Sequence, residues 1–202
     1  MAERAGVKAV RLEGTAGVSF TLDQIEAALK LNKPKAFFIT HGESSTGCLQ
    51  NLEGIGALCH KYNVLCCVDS VAACGGVPLK MDEWEIDIMY TGSQKVVAAP
   101  PGTAPISFSE RARQVKFFFT FTKKKLLPKA IANRQTKHQS FYFDMTQLAR
   151  YWNCDGQPRF YHHTGAVSNY YGLREALSEY AAEGSHQVNT ESFHKIESYI
   201  FK

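Results

Sequence analysis

Two short apolar segments, each followed by a charged side chain, constrain the fold of this chain more than any other feature. Residues 63–72 contain an apolar run that ends abruptly at Asp69. Residues 86–95 contain a second strand-like run, and this segment ends at Lys95. Short apolar runs bounded by turn residues are typical of buried strands. The stretch between Asp69 and Lys95 leaves room for one crossover, so we expect the two strands to be parallel neighbours.

Predicted helices alternate with predicted strands along most of the chain. The sequence from Thr21 to Gln24 is a capping box, and apolar residues follow it at helical spacing. The other predicted elements are strands at residues 35–40, 64–68, 86–90 and 104–108 and helices at residues 52–62 and 109–116. This alternation predicts an α/β layer with a largely parallel sheet. Ligands of such sheets bind beyond the carboxyl ends of the strands, where Asp69, Lys95 and the Ser44 loop fall.

The composition is ordinary for a globular domain. The chain has 202 residues, of which 45% are hydrophobic, and this is enough for a sizeable core. No apolar run approaches the length of a membrane-spanning helix, and no apolar signal segment follows the charged residues after Met1. Much of the net charge of +4 comes from basic residues between positions 123 and 137. No nucleic-acid-binding motif accompanies them, so we predict neither a nucleic-acid nor a membrane partner.

The cysteines indicate a reducing compartment rather than a disulfide framework. Cys66 and Cys67 are adjacent in a predicted strand, so their side chains point to opposite faces and pair poorly with each other. Cys59 and His60, with Cys66 nearby, raise the possibility of zinc, but paired C-x-x-C spacing is missing. We therefore expect small buried thiols, no metal site and an intracellular protein.

Asp69 and Lys95 are also the two residue types that pyridoxal phosphate chemistry requires. A lysine amine forms a Schiff base with the cofactor aldehyde, and an acid keeps the pyridine nitrogen protonated so that the ring accepts electrons. Gly92 and Ser93 precede the lysine, and residues 98–102 are alanines, prolines and a glycine. Such neighbours hold the backbone close to a ligand. Simpler explanations exist, since surface lysines at strand ends and capping aspartates at turns are both common.

Five segments together resemble one enzyme family. They are HGESSTG at 41–47, VDSVA at 68–72, TGSQK at 91–95, APPG at 99–102 and YHHT at 161–164. The chain resembles the alanine–glyoxylate and serine–pyruvate aminotransferases, including the insect enzymes that transaminate 3-hydroxykynurenine. The resemblance implies the large domain of a three-layer, fold type I transferase that depends on pyridoxal phosphate. It also implies transfer of an amino group from alanine or serine to glyoxylate or pyruvate.

The resemblance implies a role for each candidate site residue. Lys95 carries the Schiff base and moves the proton in catalysis, and Asp69 pairs with the pyridine nitrogen. Val71 packs against one face of the ring. The other implied cofactor contacts are Ser44 near the ring, Gln94 at the phosphate, and Tyr161 and Thr164, which reach the phosphate bound by the other subunit. A homodimer with shared sites is therefore expected.

Other interpretations stay open for several of these residues. Ser44 and Gln94 are also ordinary loop residues whose polar groups satisfy nearby backbone. His162 and His163 suggest a metal pair, but adjacent histidines do not easily face one ion. We expect these two histidines to shape the loop, and we predict no metal.

The resemblance covers residues 1–116 and 133–184. Residues 117–132, with separate phenylalanine and lysine blocks, are interpreted as an insertion foreign to the family, and residues 185–202 as a divergent tail. A basic amphipathic patch for membrane surfaces is the alternative for the insertion, and the segregation of the two blocks disfavours it. Family members carry more sequence before the part that Met1 matches, and a further C-terminal domain. The chain is therefore expected to be the central part of a larger protein.

Three other functions compete with transamination by this chain. In the first alternative, the chain is an inactive fragment that at most binds cofactor or pairs with full-length subunits. The second is a cysteine desulfurase, but Cys154 lacks the small or basic neighbours of a mobile nucleophile. A nicotinamide dehydrogenase is disfavoured because no G-x-G-x-x-G opens a helix after a strand. Relatives are peroxisomal or mitochondrial, and the chain shows neither address.

Overall fold

The chain divides into two units, which the computed structural model describes at residue 3 and over residues 6–114, 140–154 and 158–183. The larger unit comprises Glu13–Ser107 and Ala166–Lys202, and the smaller comprises Met1–Leu12 and Phe108–Gly165. The predicted insertion at residues 117–132 and the predicted tail at residues 185–202 lie outside the described ranges.

The elements include every helix and strand that the sequence predicts, in the predicted order, together with a short two-stranded hairpin and two later helices that it does not predict. In chain order they are α1 (Leu22–Asn32), β1 (Ala36–Thr40), β2 (Gly42–Glu43), β3 (Cys48–Leu49), α2 (Ile55–Lys61), β4 (Leu65–Asp69), β5 (Ile88–Tyr90), β6 (Ile106–Phe108), α3 (Glu110–Gln114), α4 (Met145–Tyr151) and α5 (Val167–Glu183). Helices α3 and α4 belong to the smaller unit, and α1, α2 and α5 belong to the larger.

A four-stranded sheet, in the order β1-β4-β5-β6, is the centre of the larger unit. Strand β4 pairs in parallel with β1 on one side and with β5 on the other. The short strands β2 and β3 form a separate antiparallel hairpin. The prediction of a largely parallel α/β layer is confirmed, as is the expectation that the strands before Asp69 and Lys95 are parallel neighbours.

The core lies where α1 packs on α2 and α2 packs on β4. Ile25 and Leu29 of α1 and Ile55 and Cys59 of α2 are each at most 1% exposed, which places them fully inside. In β4, burial alternates along the strand, with Cys66 and Val68 buried. Burying an aliphatic side chain of this size contributes about 1.5–3 kcal/mol, so these contacts hold the helices on the sheet.

The predicted start of α1 is correct, whereas α2 begins three residues later than predicted. At α1, the Thr21 hydroxyl accepts from the Gln24 amide at 3.3 Å, and the Gln24 side chain accepts from the Thr21 amide at 2.9 Å. The predicted capping box is confirmed. Helix α2 begins at Ile55 rather than at Leu52, because Gly54 at its N-cap adopts φ +80°, a left-handed conformation that ends the preceding turn.

Gly56 lets α2 lie directly against the loop that leads into β5. A Cβ atom at this position would collide with the carbonyl oxygens of Trp84 and Glu85. Both obstacles are backbone atoms, so they cannot move aside as a flexible side chain does. Glycine is therefore required here by close packing rather than by its backbone torsion angles.

We predict that Gly56→Ala destabilises the chain by about 1–3 kcal/mol, the usual cost of overpacking a well-filled core. The measurement is the urea midpoint of unfolding followed by circular dichroism. Ala57 is exposed on the same helix, so Ala57→Ser adds one atom without a collision and serves as the control. Equal stability of Gly56→Ala and Ala57→Ser would contradict the packing argument.

Candidate active site

The carboxyl ends of three strands form one row of side chains. Thr40 of β1 is in register with Asp69 of β4, and Asp69 is in register with Tyr90 of β5. Residues in register on parallel strands project to the same face of the sheet. The polar ends of the strands therefore meet at one edge, where the sequence predicts a ligand site.

The Asp69 carboxylate is fixed by a donor on each oxygen. The Val71 amide donates to Oδ1 at 3.0 Å, and the Tyr90 hydroxyl donates to Oδ2 at 2.6 Å. A carboxylate has about four lone-pair sites, so each oxygen keeps room for a further donor. Asp69 is thus held in one orientation and is still able to accept a proton-bearing group of a ligand.

Burial and the Asp69 charge both raise the pKa of the Tyr90 hydroxyl, and burial is the larger cause. Ionising the phenol would place two negative charges side by side in a partly desolvated position. The Tyr90 hydroxyl therefore stays protonated, and it remains a donor to the carboxylate.

Lys95 lies in the turn at residues 93–97 rather than directly at a strand end, since β5 stops at Tyr90. The buried residue Ser93 fastens this turn to the segment that follows it. Its hydroxyl donates to the Pro100 carbonyl at 2.6 Å, and its amide donates to the Thr103 carbonyl at 3.0 Å. The Ala99 amide returns a bond to the Ser93 carbonyl at 2.8 Å. Lys95 is exposed on this fixed turn.

Gly92 brings Val71 and Gln94 together beside the turn. A Cβ atom at Gly92 would lie 3.2 Å from a Val71 methyl group and 2.9 Å from the Gln94 side-chain oxygen. Val71 follows Asp69 closely, and Gln94 precedes Lys95, so the two candidate segments converge at this glycine. The sequence alone predicts both segments at one edge of the sheet, and the structure places these residues together.

The β2–β3 hairpin carries Ser44 in its turn, where the residue is exposed. The hairpin packs closely on the turn after Asp69, because a Cβ at Gly42 would lie 2.9 Å from the Ala73 methyl group. The pKa of Glu43 is lowered chiefly by hydrogen bonds from Ser45, and the positive charge of Lys95 lowers it further. Lys95 therefore lies within electrostatic reach of the hairpin.

His41 links the hairpin to the aspartate turn, a contact that the sequence reasoning missed. Its amide donates to the Asp69 carbonyl at 2.8 Å, and its ring nitrogen Nδ1 lies 3.2 Å from the hydroxyl oxygen of Ser70. Both residues are buried. Burial lowers the pKa of His41 because the charged imidazolium loses hydration. The signal available in the sequence was a histidine directly after a predicted strand, in the same motif as Ser44.

Tyr161 and Thr164 belong to the smaller unit, and both are exposed. Near them the rings of Tyr151 and His163 stack at 4.1 Å, and Tyr151 is buried. His162 donates from Nε2 to the Gln147 carbonyl at 2.9 Å. The two histidines thus pack against α4. In the described ranges, no group of three or more His, Cys, Asp or Glu side chains is arranged to hold a metal ion.

His60 lies between two carboxylates rather than beside the cysteines that suggested zinc. Its Nδ1 is 2.6 Å from a Glu85 oxygen, and its Nε2 is 3.2 Å from an Asp87 oxygen. Asp87 is fully buried and also accepts from the Cys66 amide at 2.9 Å. The cluster joins α2 to the loop before β5, and it lies at the opposite end of β5 from Tyr90.

The fold and the arrangement at the sheet edge define a class of protein. The mainly parallel sheet with its helices is part of the fold type I architecture of the pyridoxal-phosphate-dependent transferases, and it carries a fixed carboxylate at the end of β4 and an exposed lysine in the turn after β5. Solved structures agree. An alanine–glyoxylate aminotransferase from Nostoc sp. superposes with a TM-score of 0.83 at 34% identity, over 98% of this chain and 48% of that one.

The family model described as aminotransferase class-V matches residues 1–201, and the chain belongs to this family. The alanine–glyoxylate aminotransferase of Callithrix jacchus is 47% identical over 182 residues, which cover 90% of this chain and 40% of that relative. The (S)-ureidoglycine–glyoxylate transaminase of Bacillus subtilis is 36% identical, over 91% of this chain and 44% of that relative. The chain thus spans less than half the length of these relatives.

Among the helices in the described ranges, none has the length and apolar character that crossing a membrane requires.

We predict that unfolding stability falls as the pH drops below the ordinary histidine pKa of about 6.5, and that His41 contributes to this fall. The folded pKa of His41 is lowered, so the unfolded chain binds more protons in this range. His41→Gln removes the titration but keeps polar groups at the site. The measurement is the urea midpoint at a series of pH values from neutral to acidic.

All other ionisable residues are the same in both proteins, so only the difference in slope reports on His41. The variant should lose less stability than the wild type over the same pH interval. Parallel pH profiles for the two proteins would show that burial of His41 does not affect its protonation.

Proposed function

We propose that this chain is the cofactor-bearing part of a pyridoxal-phosphate-dependent aminotransferase, with Lys95 as the residue that attaches the cofactor. The observation that carries the proposal is the Asp69 carboxylate, which two donors orient at the same sheet edge as the turn of Lys95. Membership of the aminotransferase class-V family supports the same reaction class.

The residues at the sheet edge fit this cofactor by the chemistry of their groups. When bound, pyridoxal phosphate supplies an aldehyde and an electron-accepting ring. The free lone pairs of Asp69 are suited to a protonated ring nitrogen, and a carboxylate pairs strongly with such a cation. The Lys95 amine is the nucleophile for the aldehyde. Val71 offers a stiff, β-branched surface to one face of a planar ring.

Phosphate binding is assigned to polar groups around this edge. Gln94 lies beside Gly92, where the backbone leaves space, and Ser44 is exposed on the neighbouring hairpin. Tyr161 and Thr164 of the partner subunit complete the set in the proposed homodimer. A phosphate needs several donors, so sharing the site between two subunits increases the number available.

Lys95 would also serve as the general base and acid of the reaction. With the cofactor bound, its amine would take the proton from the substrate α-carbon and hold it for return. The turn fastened by Ser93 keeps the amine near the reacting atoms, and orientation of this kind contributes much of the rate.

Glyoxylate is the proposed amino acceptor, because the names of relatives in both Callithrix jacchus and Bacillus subtilis contain it. Alanine or serine is the proposed donor, with pyruvate as the alternative acceptor. A peroxisomal or mitochondrial location is proposed with the function.

The alternative function is a chain that binds the cofactor, or pairs with longer subunits, without turning over substrate. It is favoured by the extent of the match, since the chain covers 40% of the mammalian relative.

We predict that the purified chain, mixed with pyridoxal phosphate, gives a visible absorbance band that borohydride converts into a stable covalent adduct at Lys95. The adduct is located by peptide mass spectrometry. Lys95→Ala should lose it entirely, whereas Lys80→Ala should keep it, because Lys80 is an exposed lysine paired with Glu83. An adduct retained in Lys95→Ala would refute the assignment of the lysine.

The second prediction concerns turnover. With cofactor present, the chain should produce pyruvate and glycine from alanine and glyoxylate, measured by coupled reduction of the pyruvate. An adduct at Lys95 without any pyruvate would favour the cofactor-binding alternative over the enzyme.

A further inference from the structure

Tyr90 is held at three points at the end of β5. Its carbonyl accepts the Ser70 amide at 2.9 Å, and its ring stacks on Phe38 with centroids 6.3 Å apart and planes at 24°. Its hydroxyl donates to Asp69 Oδ2 at 2.6 Å. Because the backbone, the ring face and the hydroxyl of Tyr90 each make a contact, the side chain is held in one orientation. The position of that hydroxyl is therefore set by the sheet itself.

The Tyr90 hydroxyl acts on Asp69 together with the Val71 amide. One donor binds each carboxylate oxygen, and rotation about the Cβ–Cγ bond would weaken both bonds at once. Hydrogen bonds to a charged acceptor are stronger than those between neutral groups. The pair of donors thus fixes the plane of the carboxylate, and with it the direction of the lone pairs that remain free.

The Tyr90 bond is not needed to hold β5 in the sheet. Backbone pairing already joins β4 to β5 from Cys67 and Ile88 to Asp69 and Tyr90. A phenylalanine at this position would keep the backbone pairing and the stacking on Phe38. What it would lose is the donor to the carboxylate, so the hydroxyl contributes orientation of Asp69 rather than assembly of the sheet.

We propose that Tyr90 is a positioning residue that aligns the Asp69 carboxylate with the ring nitrogen of the cofactor. This inference rests on the proposed function, because it requires a pyridine cofactor at the sheet edge. Tyr90 touches the carboxylate only, so its effect on the cofactor passes through Asp69. It follows that Tyr90 matters only for a cofactor that carries the ring nitrogen.

The test compares two cofactors on the same variants. One is pyridoxal phosphate, and the other is its analogue with a CH group in place of the ring nitrogen. Dissociation constants for both are measured by absorbance titration on the wild type and on Tyr90→Phe. Tyr90→Phe should bind pyridoxal phosphate about tenfold more weakly, because a misaligned Asp69 carboxylate loses most of one charge-assisted bond to the ring nitrogen. Its affinity for the analogue should equal that of the wild type.

Tyr62→Phe is the matched control. The Tyr62 hydroxyl, at the C-cap of α2, donates to Glu26 of α1 at 2.6 Å, the same length as the Tyr90 bond. Its removal should leave the affinity for both cofactors unchanged. In an Asp69→Asn background, Tyr90→Phe should cause no further loss of affinity, because the carboxylate that Tyr90 orients is no longer present.

Two results would overturn the inference, and they are distinguishable. Equal weakening of both cofactors by Tyr90→Phe would mean that the hydroxyl only supports the fold, while the proposed function would stand. A wild-type chain that binds neither cofactor would refute the proposed function for this chain, and the role of Tyr90 with it. Circular dichroism of each variant establishes that it is folded before the titration.

Discussion

The parallel pairing of β4 with its two neighbours is the constraint on which the rest of the structure depends. It sets Thr40, Asp69 and Tyr90 in one row, and each functional contact at the sheet edge starts from that row. The Asp69 carbonyl holds the amide of His41, and its carboxylate holds the donors from Val71 and Tyr90. A shift of one residue in this register would turn Asp69 to the other face and remove the site.

The hydrogen bonds at the edge divide into two groups with different effects. Bonds to the Asp69 carboxylate orient a charge, whereas bonds made by Ser93 and His41 join loops to one another. His41 joins the hairpin to the aspartate turn, and Ser93 joins the lysine turn to residues 99–103. Side chains on these loops therefore keep their positions although each loop has little regular secondary structure of its own.

The sequence was sufficient to predict the order of the main strands and of α1, α2 and α3, the parallel layer, and the sheet edge at which Asp69 and the turn of Lys95 lie, but not the β2–β3 hairpin, α4 or α5. Apolar runs locate strands, and crossovers between them determine that their carboxyl ends lie together. It was not sufficient for Tyr90, which ends an apolar run and was interpreted only as part of a strand. Its pairing with Asp69 depends on the register of β4 and β5, and one sequence does not define register. The contact of His41 with Ser70 was missed for a similar reason, because it joins loops far apart in the chain.

The hydrogen bonds of Ser93 limit how far the amine of Lys95 can move. Its bonds to Pro100, Ala99 and Thr103 close the chain into a ring of fixed circumference around the lysine. The backbone within such a ring has little freedom to swing as a hinge, so the reach of the amine is set by the rotatable bonds of one side chain. The Lys95 side chain is therefore flexible while its backbone is fixed, and the length of the side chain limits the positions that the amine can reach.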